Sequence, residues 1–149
     1  MILIRRANLA DATAIIDFQL KMAWETEKRS LERDILQKGV YAVFSDNRKG
    51  EYYVAEAYGK VVASLLITYE WSDWRNCDVW WLQSVFVMPK YRRKGIFRKM
   101  YTFIKEKATA YDIAGLRLYV ETGNKRAMKT YEALGMSSEH YNFYEWMRK

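Results

Sequence analysis

Apolar residues in the first third of the chain alternate with polar ones or recur every three to four positions. Ile2–Arg6 alternates in the way typical of a short edge strand. Helical spacing follows from the cap residues Asn8 or Asp11 to about Ala23, and again from Leu31 to Phe44. This part of the chain is therefore predicted to form one strand and two helices.

The middle of the chain changes to a period of two. Tyr52–Ala57 and Val61–Tyr69 alternate around a Tyr58-Gly59 turn, which predicts a hairpin. A polar loop with two tryptophans, Glu70–Asp78, separates this hairpin from Val79–Val87. That last segment is almost continuously apolar, which is typical of a central strand buried on both faces.

The last third predicts two helices and two strands. The helix Ile96–Tyr111 is followed by a strand at Leu116–Val120, a short helix at Lys125–Leu134 and an aromatic strand over Met136–Met147. The first helix carries one apolar stripe, formed by Ile96, Met100, Phe103, Ile104 and Tyr111.

No linker or break in composition divides the sequence, so a single domain is predicted over residues 1–149. The element order βααβββαβαβ predicts an α+β fold. We expect a layered α/β arrangement, in which a mixed, mostly antiparallel central sheet carries helices on both faces.

Composition excludes several classes of protein. Cys77 and His140 are the only cysteine and histidine, so an internal disulfide and a Cys/His zinc site are excluded, and no metal is expected. No apolar stretch is long enough to span a membrane, and the N-terminus does not resemble a signal peptide. A cytoplasmic protein without a membrane partner is predicted.

The positive charge is concentrated in one segment. Lys90–Lys107 has eight basic residues and one acid, which accounts for the whole net charge of +7. Both a nucleic-acid-binding protein and a protein that binds one small polyanion could concentrate charge in this way.

This basic segment lies between a buried strand and a helix, within Ser84–Phe97. Gly95 permits a tight turn there, and the first N–H groups of the helix that follows have no intrahelical partner. Unpaired amides, the positive end of the helix dipole and flanking cations are what phosphate binding requires. The placement therefore favours a phosphate site over a solvated basic loop.

A second motif lies in Glu121–Met136. Asn124 is predicted to cap a helix, and Tyr131 lies two turns further along the same face. Taken separately, Asn124 could be only a cap and Tyr131 only a core residue.

Together the two stretches resemble the GNAT superfamily of acetyl-coenzyme A-dependent N-acetyltransferases. Arg92 to Phe97, RRKGIF, is similar to its Arg/Gln-x-x-Gly-x-Gly/Ala pyrophosphate signature, with Phe97 where the family usually has Gly or Ala. The second stretch is similar to its Asn-x-x-Ala-x-x-x-Tyr-x-x-x-Gly-Phe/Met motif; the matching residues are Asn124, Ala127, Tyr131, Gly135 and Met136.

The resemblance implies the GNAT fold, acetyl-CoA as cosubstrate and specific roles for residues. The backbone of the central strand would hold the pantetheine arm, and the turn with the first helical residues would bind the pyrophosphate. Asn124 would contact the pantetheine or a water, and Tyr131 would stand near the acetyl sulfur. The residues expected to bind the cofactor are Val85, Phe86, Val87, Arg92, Arg93, Lys94, Gly95, Ile96, Phe97, Arg98, Asn124 and Tyr131.

Acetyl transfer to an amine needs a neutral amine and a proton for the departing thiolate. Tyr131 suits the acid role, because a phenol with a pKa of ~10 is protonated at neutral pH. The base is left open: Glu70 is the first candidate, Asp73 the second, and a water relay the third. A covalent route through Cys77 is disfavoured, because no histidine lies close to it in sequence to activate the thiol.

The amine acceptor is expected near the aromatic and acidic residues of the polar loop. Trp71, Asp73 and Trp74 combine π faces with a carboxylate, which suits a cationic amine. The edge strands and the aromatic segment Tyr141–Trp146 leave a homodimer open.

The sequence therefore predicts an N-acetyltransferase that moves acetyl from acetyl-CoA to a primary amine of a small molecule or peptide, by direct attack in a ternary complex. The alternatives are an acyltransferase of the same fold with another donor or acceptor, and a basic nucleic-acid-binding module. The N-acetyltransferase hypothesis predicts acetyl-CoA and an amine as partners, and no nucleic acid.

Overall fold

A computed structural model describes all 149 residues, Met1–Lys149. The chain forms two compact units, Met1–Leu118 and Tyr119–Lys149, which are described separately. The single domain over residues 1–149 stays a prediction. No helix is both long enough and apolar enough to cross a membrane.

The first unit is built around one five-stranded sheet with the order β1-β2-β3-β4-β5. The first four strands pair antiparallel and β5 pairs parallel to β4, so the sheet is mixed, as predicted. The strands are β1 Ile2–Arg6, β2 Glu51–Ala57, β3 Lys60–Ser72, β4 Cys77–Val87 and β5 Leu116–Arg117.

Helices cover both faces of this sheet. The helices of the first unit are α1 Ala12–Glu27, α2 Arg33–Ser45 and α3 Ile96–Ala110. Tyr52 and Val54 of β2 pack with α1 and α2 on one face. Tyr53 points to the other face, where its ring lies 5.9 Å from that of Phe103 on α3. The alternation of side chains along β2 thus separates two apolar cores.

Several boundaries differ from the sequence-based expectation. The strand expected over Leu116–Val120 is only two residues long, Leu116–Arg117, because it pairs with β4 at only two positions. The strands β3 and β4 extend through most of the expected polar loop, with Ser72 opposite Cys77, so the turn is limited to residues 73–76. Cross-strand pairing compensates for the polarity of these positions, because the backbone bonds do not depend on the side chains. Tyr111 is 64% exposed and follows the last residue of α3, so it does not belong to the apolar stripe.

The second unit contains one helix, α4 Lys125–Ala133. The aromatic strand expected over Met136–Met147 is not formed: the structure assigns no strand there. Alternation alone does not make a strand, since a strand exists only through the backbone bonds of a neighbour, and the pattern does not contain that information.

An ion pair joins the first strand to the start of α1. Asp11 is buried, and its carboxylate accepts two bonds from the guanidinium of Arg5, at 2.8 and 3.0 Å. The same carboxylate accepts the backbone N–H of Asn8 at 2.8 Å. The Arg5 guanidinium beside Asp11 lowers the pKa of the Asp11 carboxyl below its usual range.

We predict that Asp11→Ala lowers the free energy of unfolding by about 2 kcal/mol, because it leaves a partly buried guanidinium without one of its carboxylates. Urea denaturation at pH 7 measures this change. Since the pKa of Asp11 is depressed in the folded state, its contribution is present above the unfolded pKa and is lost as the pH falls through the folded pKa. The difference between wild type and variant should therefore shrink below about pH 4.

The matched control is Asp17→Ala, which removes an aspartate of α1 that pairs with Arg33 at 3.3 Å while both side chains are about half exposed. Its effect should stay below about 0.5 kcal/mol. Equal effects of the two substitutions would contradict the importance of the Asp11 pair.

Candidate active site

The strand β4 carries an irregularity near its end. Its register with β3 shifts between Ser64 and Leu66, because β4 contributes one extra residue at Ser84–Val85. Ser84 has φ +54°, a left-handed conformation that few non-glycine residues adopt. This is a β-bulge, which leaves backbone groups of the bulged strand outside the ladder.

Beyond the middle of β4, the neighbouring strand ends. β5 pairs with β4 only at Trp80 and Trp81, whereas β4 continues to Val87. The edge of β4 that faces away from β3 therefore has no strand of the first unit beside it over its last six residues. An unpaired strand edge is a row of backbone donors and acceptors that an extended ligand can use.

The turn after β4 ends in the predicted glycine. Gly95 has φ +76° and is the N-cap of α3, where no side chain caps the helix. The first helical bond runs from the Lys99 N–H to the Gly95 carbonyl at 3.0 Å, which leaves the amides of the first turn without an intrahelical partner. Arg93 and Lys94 beside this turn are exposed. The first turn of α3 therefore has the charge and the donors of an anion site.

Arg92 takes a different position from its neighbours. Its Nε donates to the Val87 carbonyl at 2.8 Å, and its Nη1 pairs with a carboxylate oxygen of Glu25 at 2.8 Å. The guanidinium carbon also lies 5.3 Å from the centre of the Phe86 ring. The side chain is thus committed to protein groups, so of the two arginines at the start of the motif only Arg93 is directed to solvent.

Phe97 does not project as a free surface aromatic. It is half-buried, and its ring lies 6.3 Å from that of Tyr101, which is itself only 8% exposed. Base stacking needs an open ring face, so these two residues make a poor platform for nucleic acid.

Glu70 on β3 is held by two side chains, one from β4 and one from β5. Its carboxylate accepts the indole N–H of Trp81 at 2.7 Å and the guanidinium of Arg117 at 2.9 and 3.1 Å. The hydrogen bond from Trp81, and after it that from Arg117, lowers the pKa of Glu70 below its usual range. A carboxylate that is stabilised in this way is a weak base.

A second polar contact continues the row along the sheet. The amide of Gln83 donates to the hydroxyl of Thr68 at 2.6 Å. Thr68 and Glu70 alternate on β3 as Trp81 and Gln83 do on β4, so all four share one face. Neither Thr68 nor Arg117 was singled out from the sequence, although the period of two in each strand is a signal that could have found the row.

The expected acceptor residues lie at the tip of the β3–β4 hairpin. Trp71 is the penultimate residue of β3 and is 62% exposed, and Trp74 in the turn is 88% exposed. Asp73 accepts the backbone N–H of Trp74 at 2.9 Å. Adjacent strand residues point to opposite faces, so Trp71 points away from Glu70, and Trp81 is the tryptophan that contacts it.

The second motif is described within its own unit. Asn124 caps α4 as predicted, since its side-chain oxygen accepts the Ala127 N–H at 3.1 Å. Gly135 has φ +90°, and the helix closes with the Met136 N–H bound to the Tyr131 carbonyl at 3.1 Å. Burial raises the pKa of the Tyr131 phenol, so this group is protonated at neutral pH.

Comparison with known proteins shows the class. The family model for the acetyltransferase (GNAT) family matches residues 13–136. A crystal structure from Clostridium difficile 630, described as a possible acetyltransferase, has a TM-score of 0.92 and 46% identity, and covers 100% of this chain and 99% of that one. The protein is therefore an acyltransferase with the GNAT fold.

Curated relatives agree with this class. The Mus musculus thialysine N-epsilon-acetyltransferase is 32% identical over 141 residues, which are 89% of this chain and 82% of that protein. The Bos taurus protein of the same name is 37% identical over 75 residues, 50% of this chain and 44% of its own length. The chain belongs to the GNAT family, and it is an N-acetyltransferase.

The environment of Glu70 leads to a prediction about the base. Because the pKa of Glu70 lies below its usual range, its carboxylate stays ionised across neutral pH. Protonation of Glu70 therefore cannot cause a loss of activity between pH 6 and pH 8. We expect Glu70→Gln to lower kcat less than about tenfold and to leave the acid limb of kcat/KM in place. A pH profile measured by thiol release tests this.

Glu106→Gln is the control, because it makes the same substitution at an exposed carboxylate of α3 that the proposed site does not use. A hundredfold fall in kcat for Glu70→Gln alone, with loss of the acid limb, would restore Glu70 as the base.

Proposed function

We propose that this N-acetyltransferase moves an acetyl group from acetyl-CoA to a primary amine by direct attack in a ternary complex. The proposal rests on two features that follow each other along the chain. The strand β4 is bulged and has one unpaired edge over its second half, and α3 begins with an uncapped N-terminus in a basic turn. The mouse relative is named for acetylation of the Nε amine of thialysine, which supports a primary amine at the end of an aliphatic chain as acceptor.

Acetyl-CoA would be held by backbone groups more than by side chains. The backbone of Val85, Phe86 and Val87 would bind the pantetheine arm along the unpaired edge of β4. The amides of residues 96–98 would bind the pyrophosphate, with Arg93 and Lys94 supplying positive charge from the turn. Arg92 would contribute by shaping the turn, because its guanidinium is bound to Glu25 and Val87.

The thioester carbonyl would be polarised by a backbone N–H that the bulge removes from the β3 ladder. Such donors stabilise the negative charge that develops on the carbonyl oxygen, and loss of one donor typically lowers kcat by about 10²–10³. The peptide group at Ser84–Val85 is the candidate.

The amine must lose its proton before it attacks. An aliphatic amine with a pKa of ~10.4 is neutral in only about one molecule in 2,500 at pH 7, so a route for this proton is worth having. The polar row formed by Thr68, Glu70 and Gln83 offers acceptors for a water relay on one face of the sheet. A relay fits the weak basicity of Glu70 better than direct proton abstraction.

Tyr131 is proposed as the acid for the departing thiolate. Its pKa lies above the usual value because of burial, so full proton transfer to a thiolate whose conjugate thiol has a pKa of ~8.5 is uphill. A hydrogen bond to the developing thiolate is the better description. Trp71, Asp73 and Trp74 are proposed to attract the cationic acceptor at the hairpin tip. A cytoplasmic location and a homodimer stay predictions.

Two alternatives make different predictions. An acyltransferase with another acyl donor or acceptor would have the same fold and would be active with different substrates. Binding of a nucleic acid would give a steep dependence of affinity on salt concentration, whereas binding of one CoA would give a shallow one.

Gly95→Ala tests the donor site. A Cβ added at Gly95 meets no atom within 4 Å, so the variant should fold, yet φ +76° strains the turn and the methyl occupies the approach to the amides. We expect acetyl-CoA to raise the melting temperature of the wild type clearly, and the affinity of Gly95→Ala for acetyl-CoA to be at least tenfold lower. Thermal shift and calorimetry measure both.

Gly59→Ala is the matched control, because Gly59 has φ +77° and equally open surroundings in the β2–β3 turn. It should show the same loss of stability and unchanged acetyl-CoA affinity. If acetyl-CoA does not stabilise the wild type at concentrations far above a micromolar dissociation constant, the proposed function is wrong.

Tyr131→Phe tests the acid. We expect kcat to fall about 10²-fold with the KM for acetyl-CoA nearly unchanged, because the phenol acts only on the developing thiolate. Steady-state thiol release measures this. Tyr58→Phe, at a tyrosine that is 90% exposed, should have no effect, and a Tyr131→Phe variant with wild-type kcat would remove Tyr131 from the mechanism.

A further inference from the structure

Gln19 on α1 is a buried polar residue that has no role in the mechanism described so far. Its side chain is only 4% exposed, although glutamine is usually found at the surface. Its Nε2 donates to the backbone carbonyl of Ser84 at 3.1 Å, across 65 positions of sequence. The contact joins the first helix to the bulge of β4.

The acceptor of this bond, the Ser84 carbonyl, belongs to the bulge of β4. Ser84 is the bulge residue with φ +54°, where β4 loses its register with β3. Ser84 is half-buried, and a carbonyl that leaves the ladder needs a donor from elsewhere. Here a buried side chain from another element supplies it. The conformation of the bulge is therefore not determined by strand pairing alone.

Two further contacts of α1 lie along the same stretch of β4. Phe18 stacks on Phe86, with ring centres 5.1 Å apart. Glu25 pairs with Arg92, which in turn donates to the Val87 carbonyl. The helix therefore contacts β4 at Ser84, at Phe86 and, through Arg92, at Val87. Of these contacts only the first reaches a backbone atom of the bulge directly.

We propose that Gln19 is a positioning residue that holds the bulge, so that the backbone N–H released from the ladder is aimed at the thioester carbonyl. The proposal rests on the proposed function, because the thioester is its target. Gln19 does not touch the substrate, and its effect is transmitted through the Ser84 peptide group. It should therefore influence kcat and leave binding of the cofactor nearly unchanged.

The test is Gln19→Met, which keeps the approximate volume and removes the donor. We expect kcat to fall about 10- to 100-fold, because an error of about 1 Å in the position of a reacting group has an effect of that size. The dissociation constant of CoA should change less than threefold. Amide hydrogen exchange in the peptide that contains Ser84–Phe86 should become faster. Gln37→Met is the matched control, since Gln37 is exposed on α2, and it should change none of these values.

Gln19→Leu is the second variant, since it also removes the donor and needs no more space than the native side chain. It should reproduce the loss in kcat if Gln19→Met does not fold. Wild-type kcat in a folded variant, or unchanged exchange at the bulge, would overturn the proposal. Failure of the proposed function is recognised separately, because the wild type would then neither bind acetyl-CoA nor release thiol, while hydrogen exchange would still report on the contact.

Discussion

The constraint on which the first unit depends is that β4 has a full-length partner on one side and a very short one on the other. It pairs with β3 on one side, while β5 on the other side ends after two pairs. The bulge at Ser84–Val85 lies in the part that β5 leaves free. A strand with an open edge and a broken register has backbone donors and acceptors that are not used by the sheet. Those backbone groups are the ones that we propose to bind acetyl-CoA.

The surroundings of this segment are arranged to hold it. Burial of Phe86 under Phe18 and the bond from Gln19 support it from α1, and Arg92 joins its end to Glu25. The arginine that the family motif would assign to phosphate is bound to Glu25 and to the Val87 carbonyl. The unpaired amides of α3 and the exposed Arg93 and Lys94 remain available for an anion. Rigid support next to free backbone groups is what a preorganised site requires.

Within the polar row, Glu70 is a charged group but a weak base. Trp81 and Arg117 keep Glu70 ionised, and the same bonds make it reluctant to accept a proton. This arrangement suits a carboxylate that orders neighbouring groups and attracts a cation. The sequence predicts Glu70 at the end of its strand, whereas β3 continues to Ser72, and the sequence does not show the partners of this carboxylate. The partners of a carboxylate determine its pKa, and they come from other strands.

The order and type of elements through α4, the glycine turn at Gly95 and the Asn124 cap were determined by sequence, because periodicity, capping and backbone freedom are local properties. The family motifs also pointed to the class that the comparisons establish. Only the tertiary structure decided the bulge, the contacts of Arg92 and Glu70, the bond from Gln19 to Ser84, and the absence of a strand over Met136–Met147. Each of these depends on which distant residue supplies a hydrogen-bond partner, and a single sequence does not contain that pairing explicitly.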